Sequence, residues 1–171
     1  MQALETYIRD VPDFPKPGIV FKDITPLLGN ADGFRATVTA LAERARPLAP
    51  DMIVAIESRG FIFGAALALT LGRGLVPVRK PGKLPAATLS ETYDLEYGQD
   101  RVEIHRDALL PGQRALVVDD LIATGGTLAA TCKLVEKLGA RVVGCLAIIE
   151  LTFLNGRHRL GSRHVETLIT Y

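Results

Sequence analysis

Four short runs of apolar residues recur along the chain, and charged side chains follow the first three. The runs occupy residues 52–56, 75–78, 115–118 and 142–149. Helical patterns cover residues 33–49, 61–71 and 127–138, and glycines 72 and 139 close the second and the third. Continuous apolar runs separated by helices are typical of a parallel sheet covered on both faces. We therefore expect one α/β domain over residues 1–171, with a mainly parallel, twisted sheet flanked by helices.

Two segments depart from this pattern. Three prolines, Pro12, Pro15 and Pro17, precede Gly18 and predict an irregular, stiffened N-terminal arm. Residues 81–106 mix glycines and charges with a few apolar positions, which predicts a long loop or a β-hairpin inserted between core strands. Loops of that length in a compact domain are usually functional lids or disordered segments.

Composition excludes several function classes. A net charge of +1 gives no general attraction to nucleic acid or to a membrane surface, so anion recognition has to be local. The longest apolar stretch, residues 60–72, is shorter than the ~20 residues needed to span a bilayer, and the N-terminus does not resemble a signal peptide. Cys132 and Cys145 predict two buried thiols in a reducing compartment, so we expect a cytoplasmic protein. The three histidines show no metal or catalytic spacing and are expected at the surface: His105, His158 and His164.

The third apolar run leads into a motif with an unusual polar pattern, residues 117–127, with the sequence VVDDLIATGGT. It is neither the P-loop GxxxxGK[ST] nor the dinucleotide motif GxGxxG. Its glycines let the backbone bend around an anion, and the helix that follows adds its positive end. The motif therefore predicts a cradle for one phosphate monoester, formed by Ala123, Thr124, Gly125, Gly126 and Thr127.

Two adjacent carboxylates, Asp119 and Asp120, stand just before this cradle. Carboxylates repel a phosphate, but each accepts a hydrogen bond from a hydroxyl, so the pair suits two vicinal hydroxyls. A phosphate with two hydroxyls a few ångströms away is a ribose 5-phosphate. A purely structural turn is the competing explanation, and the complete motif disfavours it.

The motif closely resembles the signature of the type I phosphoribosyltransferases, which bind phosphoribosyl pyrophosphate (PRPP). Further segments resemble the adenine phosphoribosyltransferase branch of that family, in order along the chain: residues 13–27, 57–61, 79–85, 95–98 and 150–151. The resemblance implies the type I fold, with a hood segment at about residues 11–27 and a flexible β-hairpin loop at about residues 85–104. It also implies a purine-salvage glycosyltransferase that converts adenine and PRPP to AMP and pyrophosphate through an oxocarbenium-like transition state.

Residue roles follow from the same resemblance. The pyrophosphate would be bound by Ser58, Arg59, Arg79, Lys80 and Lys83, and adenine by Val20, Phe21 and Lys22. The catalytic residues would be Arg59, Asp119, Asp120 and the loop residue Glu96, next to Tyr97. Mg²⁺ would be held mainly by substrate and water rather than directly by protein ligands. The protein is expected to act on small molecules as a homodimer, with part of the cationic cluster working across the interface.

Two alternatives stay open from the sequence. Lys22 stands where the family commonly has arginine, which leaves room for an acceptor such as hypoxanthine, guanine or xanthine. The fold also serves non-enzymatic regulators that sense PRPP, but such proteins usually have a DNA-binding domain or a basic RNA-binding face, and the chain has no basic excess.

Overall fold

The computed structural model describes residues 4–94 and 98–171. Their helices are α1 (Thr25–Gly29), α2 (Ala31–Ala45), α3 (Gly60–Leu71) and α4 (Gly126–Lys137). Their strands are β1 (Arg9–Pro12), β2 (Val20–Asp23), β3 (Met52–Ile56), β4 (Gly74–Val78), β5 (Thr88–Asp94), β6 (Gln99–His105), β7 (Arg114–Ile122), β8 (Arg141–Glu150) and β9 (Val165–Thr170). No helix in this part of the chain is both long enough and apolar enough to cross a membrane.

Five strands form a parallel sheet in the order β4-β3-β7-β8-β9, so the predicted α/β architecture is confirmed. Successive side chains of a strand point to opposite faces, and both faces are apolar here. Ile53 packs in the core beneath α2 and α3, whereas Val54 packs in the core beneath α4 and β6. Burial on both faces explains why these strands are continuous apolar runs.

The helix boundaries follow local chemistry. Helix α2 begins at Ala31 because the Asn30 side chain accepts a hydrogen bond from the Gly33 N–H at 2.8 Å. It ends at Ala45, just before Pro47, which has no N–H for a further intrahelical bond, and a short 3₁₀ turn follows. Helices α3 and α4 each begin and end within about one residue of the prediction.

Two predictions about strands need correction, and one strand was not predicted. Asp119 and Asp120 lie inside β7 rather than after it, because the ladder with β8 continues through the pair Leu121–Ile149. The N-terminal arm is not irregular throughout, since β1 and β2 pair antiparallel and register Val11 opposite Phe21. Strand β9 was not predicted, although it completes the parallel sheet beside β8.

The segment inserted between β4 and β7 is a β-hairpin, one of the two structures predicted for it. Strands β5 and β6 pair antiparallel from Thr88–His105 to Asp94–Gln99. Val102 and Ile104 of β6 are buried in the core that also contains α4. The base of the hairpin is therefore part of the hydrophobic core.

Candidate active site

A cavity of about 330 Å³ lies beyond the carboxyl ends of β3 and β7. Ligands of parallel α/β sheets bind at this edge, where strands end and helices begin. The cavity brings together most of the predicted phosphate, pyrophosphate and ribose residues: Ser58, Arg59, Lys80, Asp119, Asp120, Ala123, Thr124, Gly125, Gly126 and Thr127. Glu57 and the residues Leu121, Ile122 and Leu128 complete its lining.

The phosphate cradle, residues 123–127, is called the glycine loop below, and close backbone packing holds it in shape. Gly125 has φ +76°, a conformation that side chains disfavour, and α4 begins immediately after it. A Cβ atom at Gly125 would overlap the carbonyl oxygen of Gly156, and one at Gly156 would overlap the carbonyl oxygen of Ala123. Gly156 therefore supports the loop although sequence reasoning missed it. The Asn155-Gly156 dipeptide is of a type that favours turns, but nothing in the sequence indicates which residues such a turn would contact.

The first turn of α4 has the features of an anion site. The first intrahelical bond runs from the Ala129 N–H to the Gly125 carbonyl at 3.0 Å. The N–H groups that precede Ala129 in the helix have no intrahelical acceptor, as at every helix start. With the positive end of the helix dipole, they can bind a phosphate at the cavity wall.

The two carboxylates are buried side by side at the cavity wall. The Asp120 backbone N–H donates to Asp119 Oδ1 at 2.8 Å. A Cβ atom at Gly60 would lie 2.9 Å from the same oxygen, so only glycine lets α3 begin this close to Asp119. Burial raises the pKa of Asp119 well above its usual value, and the charge of Asp120 raises it further. Burial also raises the pKa of Asp120, although the Arg59 guanidinium offsets part of that rise.

One carboxylate oxygen in this pair is buried and lacks a hydrogen bond within the described residues. Asp120 is 5% exposed, and among the described residues its Oδ2 atom accepts no hydrogen bond. Arg59 Nε lies 2.9 Å from that oxygen, so the two form an ion pair in which the N–H is not well directed at the oxygen. A ligand hydroxyl could supply the missing hydrogen bond.

The predicted pyrophosphate cations divide into two groups. Lys80 lines the cavity, whereas Arg79 and Lys83 do not. Arg79 donates through Nε and Nη2 to Glu57 at 3.2 and 3.1 Å, and through Nη1 to the Lys83 carbonyl at 2.9 Å. The Lys80 backbone N–H also donates to Glu57, at 2.9 Å. Through these hydrogen bonds Glu57 anchors the loop that contains Arg79, Lys80 and Lys83. Hydrogen bonding to Arg79 also lowers the pKa of Glu57, so its carboxylate stays charged.

The predicted base-binding residues lie outside the cavity lining. The Phe21 ring centroid is 5.1 Å from Arg59 Cζ and 5.2 Å from the ring centroid of Phe14, which packs edge-on. Lys22 Nζ donates to Asp10 Oδ1 at 2.7 Å and lies 3.6 Å from the ring centroid of Tyr171. The Lys22 side chain therefore fastens the hood segment, and its charge is already satisfied by groups outside the cavity.

The remaining predictions concern the loop residues Glu96 and Tyr97 and the three histidines. Glu96 and Tyr97 lie outside the described residues. The prediction of surface histidines is confirmed for His158 and His164, whereas His105 is half-buried and accepts a hydrogen bond from the Ala86 N–H at 3.3 Å.

Comparisons with known proteins agree with this geometry. The sequence-family model described as the phosphoribosyl transferase domain matches residues 31–163 of this chain. A protein of Desulfitobacterium hafniense (strain Y51) named adenine phosphoribosyltransferase is 58% identical over 173 residues, which cover 100% of both chains. A crystal structure of adenine phosphoribosyltransferase from Thermoanaerobacter pseudethanolicus superposes with a TM-score of 0.96 at 54% identity and covers 98% of each chain.

A second similar structure carries ligands. It is adenine phosphoribosyltransferase from Saccharomyces cerevisiae, complexed with adenine and an imino-altritol bisphosphate. It is 44% identical, has a TM-score of 0.91 and covers 96% of each chain. The cavity geometry, the matched domain and these full-length likenesses lead to one assignment: the chain belongs to the adenine phosphoribosyltransferase family.

Proposed function

We propose that the protein transfers the phosphoribosyl group of PRPP to adenine, a purine-salvage reaction that forms AMP and pyrophosphate. The observation that carries this proposal is the buried Asp119–Asp120 pair beside the glycine loop, with Asp120 Oδ2 free of hydrogen bonds within the described residues. The loop suits the 5-phosphate and the carboxylates suit the two ribose hydroxyls. The yeast relative, solved with adenine and a bisphosphate, supports the same pair of ligands.

The reaction breaks the bond between the anomeric carbon and the pyrophosphate oxygen, and the electron pair leaves with pyrophosphate. Positive charge then develops on the sugar before the bond to the purine nitrogen is complete. Asp119 and Asp120 hold the hydroxyls next to that carbon and favour its charge electrostatically. Their positions are fixed before substrate binds, because Gly60 and the β7 ladder leave the pair little freedom.

The leaving group would be bound where α3 begins. Ser58 and Arg59 precede this helix at the cavity wall, so backbone N–H groups and a guanidinium converge there. Lys80 adds a second cation from the end of β4. Arg79 and Lys83 would contribute at longer range, because Arg79 already holds Glu57.

The acceptor would lie under the hood segment. Phe21 offers a ring face to the purine at the position now next to Arg59, and the backbone of Val20 and Lys22 would read the edge of the base. From the family resemblance, Glu96 would act as general acid and base on the imidazole ring of adenine, with Tyr97 beside it in the loop.

Mg²⁺ fits the donor set of the cavity. Carboxylate oxygens are preferred ligands of this cation, and Asp120 Oδ2 is a buried carboxylate oxygen without a hydrogen bond among the described residues. When bound, the ion would neutralise negative charge on the pyrophosphate as it leaves. We propose that substrate oxygens and water would supply most of its ligands, and that the Asp119–Asp120 pair would help to hold it at the cavity wall.

A homodimer is supported by helix α3. This helix is apolar all round, and such helices are normally buried. Its Leu69 is 85% exposed, and Ile62 and the adjacent Leu75 are also exposed. A second copy of the chain would cover this surface, and sedimentation of Leu69→Glu against wild type tests the idea: the wild type should sediment as a dimer and the variant as a monomer.

A cytoplasmic location is supported by the cysteines. Cys132 and Cys145 are both buried, as predicted, and their Sγ atoms lie 3.5 Å apart as free thiols. Buried cysteines without a disulfide suit a reducing compartment. Hydrogen bonding to Cys145, together with burial, raises the pKa of Cys132.

The test of the function is a purine panel. Protein, PRPP and Mg²⁺ are mixed with adenine, hypoxanthine, guanine or xanthine, and nucleotide formation is followed by chromatography. We expect AMP from adenine and no nucleotide from the oxopurines. Turnover of an oxopurine instead would refute the acceptor assignment, and PRPP binding without any turnover would favour a PRPP-sensing regulator.

A further inference from the structure

The hydroxyl of Tyr93 joins three groups that come from different parts of the site. Lys80 Nζ and Thr127 Oγ1 both donate to it, each at 3.1 Å. The hydroxyl in turn donates to Asp100 Oδ2 at 3.0 Å. Lys80 follows β4, Thr127 is in the first turn of α4, and Asp100 is on β6. The Tyr93 hydroxyl oxygen therefore links the pyrophosphate side of the cavity, the glycine loop and the β5–β6 hairpin.

The ring of Tyr93 contacts the same loop. Tyr93 belongs to β5 and is 9% exposed in the core that contains α4. A Cβ atom at Gly126 would lie 2.8 Å from Tyr93 Cδ2, so the ring packs directly against the backbone at the start of α4. Ring and hydroxyl thus approach both residues that begin this helix, Gly126 and Thr127.

The network fixes the position of a cation that would otherwise be mobile. Lysine has a flexible four-carbon side chain with ~2 kcal/mol of rotamer entropy, so a lysine that is ordered before the ligand arrives loses less freedom on binding. Lys80 Nζ is held by Tyr93 and by an ion pair with Asp100. Burial alone would lower the pKa of Lys80, but the hydrogen bonds to Asp100 and Tyr93 raise it above its usual value, so the ammonium stays charged. An ammonium has three donors, and these two acceptors leave one for a ligand.

We propose that Tyr93 is a positioning residue for PRPP, which orients Lys80 toward the pyrophosphate and holds the first turn of α4 through Thr127. The role rests on the proposed function, because it needs PRPP as the ligand of the cavity. Tyr93 itself does not line the cavity, so its hydroxyl acts through the groups it bonds. Asp100 completes the arrangement by accepting from both Tyr93 and Lys80.

The test is Tyr93→Phe, which removes the hydroxyl and keeps the ring that packs on Gly126. Binding of PRPP with Mg²⁺ is measured by calorimetry without any purine, so that no reaction occurs. Weakening one to two hydrogen bonds predicts a Kd for PRPP raised by about 3- to 30-fold. The KM for adenine and kcat at saturating PRPP should stay close to wild type, and the melting temperature should fall by no more than a few degrees. Tyr7→Phe is the control, because its ring packs beside Gly33 and lies outside the cavity lining.

A double-mutant cycle tests whether Tyr93 acts through Lys80. We expect Lys80→Ala with Tyr93→Phe to lose clearly less PRPP affinity than the sum of the two single losses. An unchanged Kd in Tyr93→Phe, a loss of thermal stability alone, or full additivity with Lys80→Ala would each overturn the positioning role. If the wild-type protein itself failed to bind PRPP, the proposed function would be wrong, and the inference would be wrong with it.

Discussion

Replacing Asp120 with asparagine tests the central element of the site. The change keeps the size of the side chain but removes its negative charge from the cavity wall. Asp120 is buried in β7, and Oδ2 has no hydrogen bond within the described residues. Asp120→Asn should therefore leave the packing of the strand intact and alter the electrostatics at the proposed ribose site.

Two opposing effects keep the expected change in stability small. The variant loses the ion pair with Arg59, whose side chain is about a third exposed, and such a pair contributes at most about 1 kcal/mol. It also removes a buried charge that burial makes unfavourable, as the raised pKa of Asp120 indicates. The free energy of unfolding should change by no more than about 1 kcal/mol, which corresponds to a shift of ~2–4 °C in Tm.

The expected loss of activity is much larger than this change in stability. Removing one preorganised group that stabilises transition-state charge lowers kcat by ~10²–10³-fold, or ~2.7–4 kcal/mol. We expect a loss of about 100-fold in kcat, measured as AMP formation by chromatography at saturating adenine and PRPP, with Tm measured on the same preparation. Asp107→Asn, in an exposed turn outside the cavity, is the matched control. A kcat within a few fold of wild type for Asp120→Asn would refute the idea that this carboxylate holds the ribose.

Three further changes separate the roles of the loop, the acidic pair and the hood segment. Gly125→Ala forces a side chain into a left-handed conformation and against the Gly156 carbonyl, so we expect a lower Tm and at least a tenfold weaker Kd for PRPP by calorimetry. Asp119 has a raised pKa in the folded protein, so its contribution to the free energy of unfolding falls as pH rises above the unfolded pKa of 3.8. Asp119→Asn should therefore gain stability relative to wild type between pH 4 and pH 7, measured by urea titration. A stability difference between variant and wild type that stays constant over this pH range would refute the argument. Lys22→Met breaks the ion pair with Asp10 and should lower the free energy of unfolding by about 1 kcal/mol. The kcat/KM for adenine should stay within about threefold of wild type, whereas a tenfold loss of kcat/KM would show that the Lys22 side chain contacts the base.

Local patterns predicted the sheet and its helices because their causes are local. Residues 52–56 form a buried strand whose apolar run is the direct result of helices on both faces. Gly72 ends α3 with φ +64°, as its position after an apolar helix predicted. The end of β7 was misplaced because a ladder is formed by backbone groups, so two charged side chains did not stop it before Ile122.

Contacts between distant segments could not be predicted in this way. The resemblance implied a pyrophosphate role for Arg79, but nothing in the sequence indicated that its guanidinium is held by Glu57, 22 residues earlier in the chain. Lys22 was expected to meet the base through its backbone, and nothing in the sequence indicated that its side chain lies against Asp10 and Tyr171. Charge identifies a residue as a possible ligand of an anion, but only the fold shows which anion is nearest.

The raised pKa values of the acidic pair indicate that the fold and the reaction make different demands on it. Burial disfavours both carboxylates as anions in the free protein, and the partly exposed Arg59 offsets only part of that effect. In the proposed reaction the substrate supplies what is missing, since ribose hydroxyls donate to the pair and positive charge develops on the sugar. The carboxylates are therefore better compensated in the transition state than in the free protein, which is the condition for catalysis. Neutralising Asp119 should accordingly raise Tm near pH 7 and lower kcat in the same variant, whereas a parallel loss of both would mean that the pair serves the fold first.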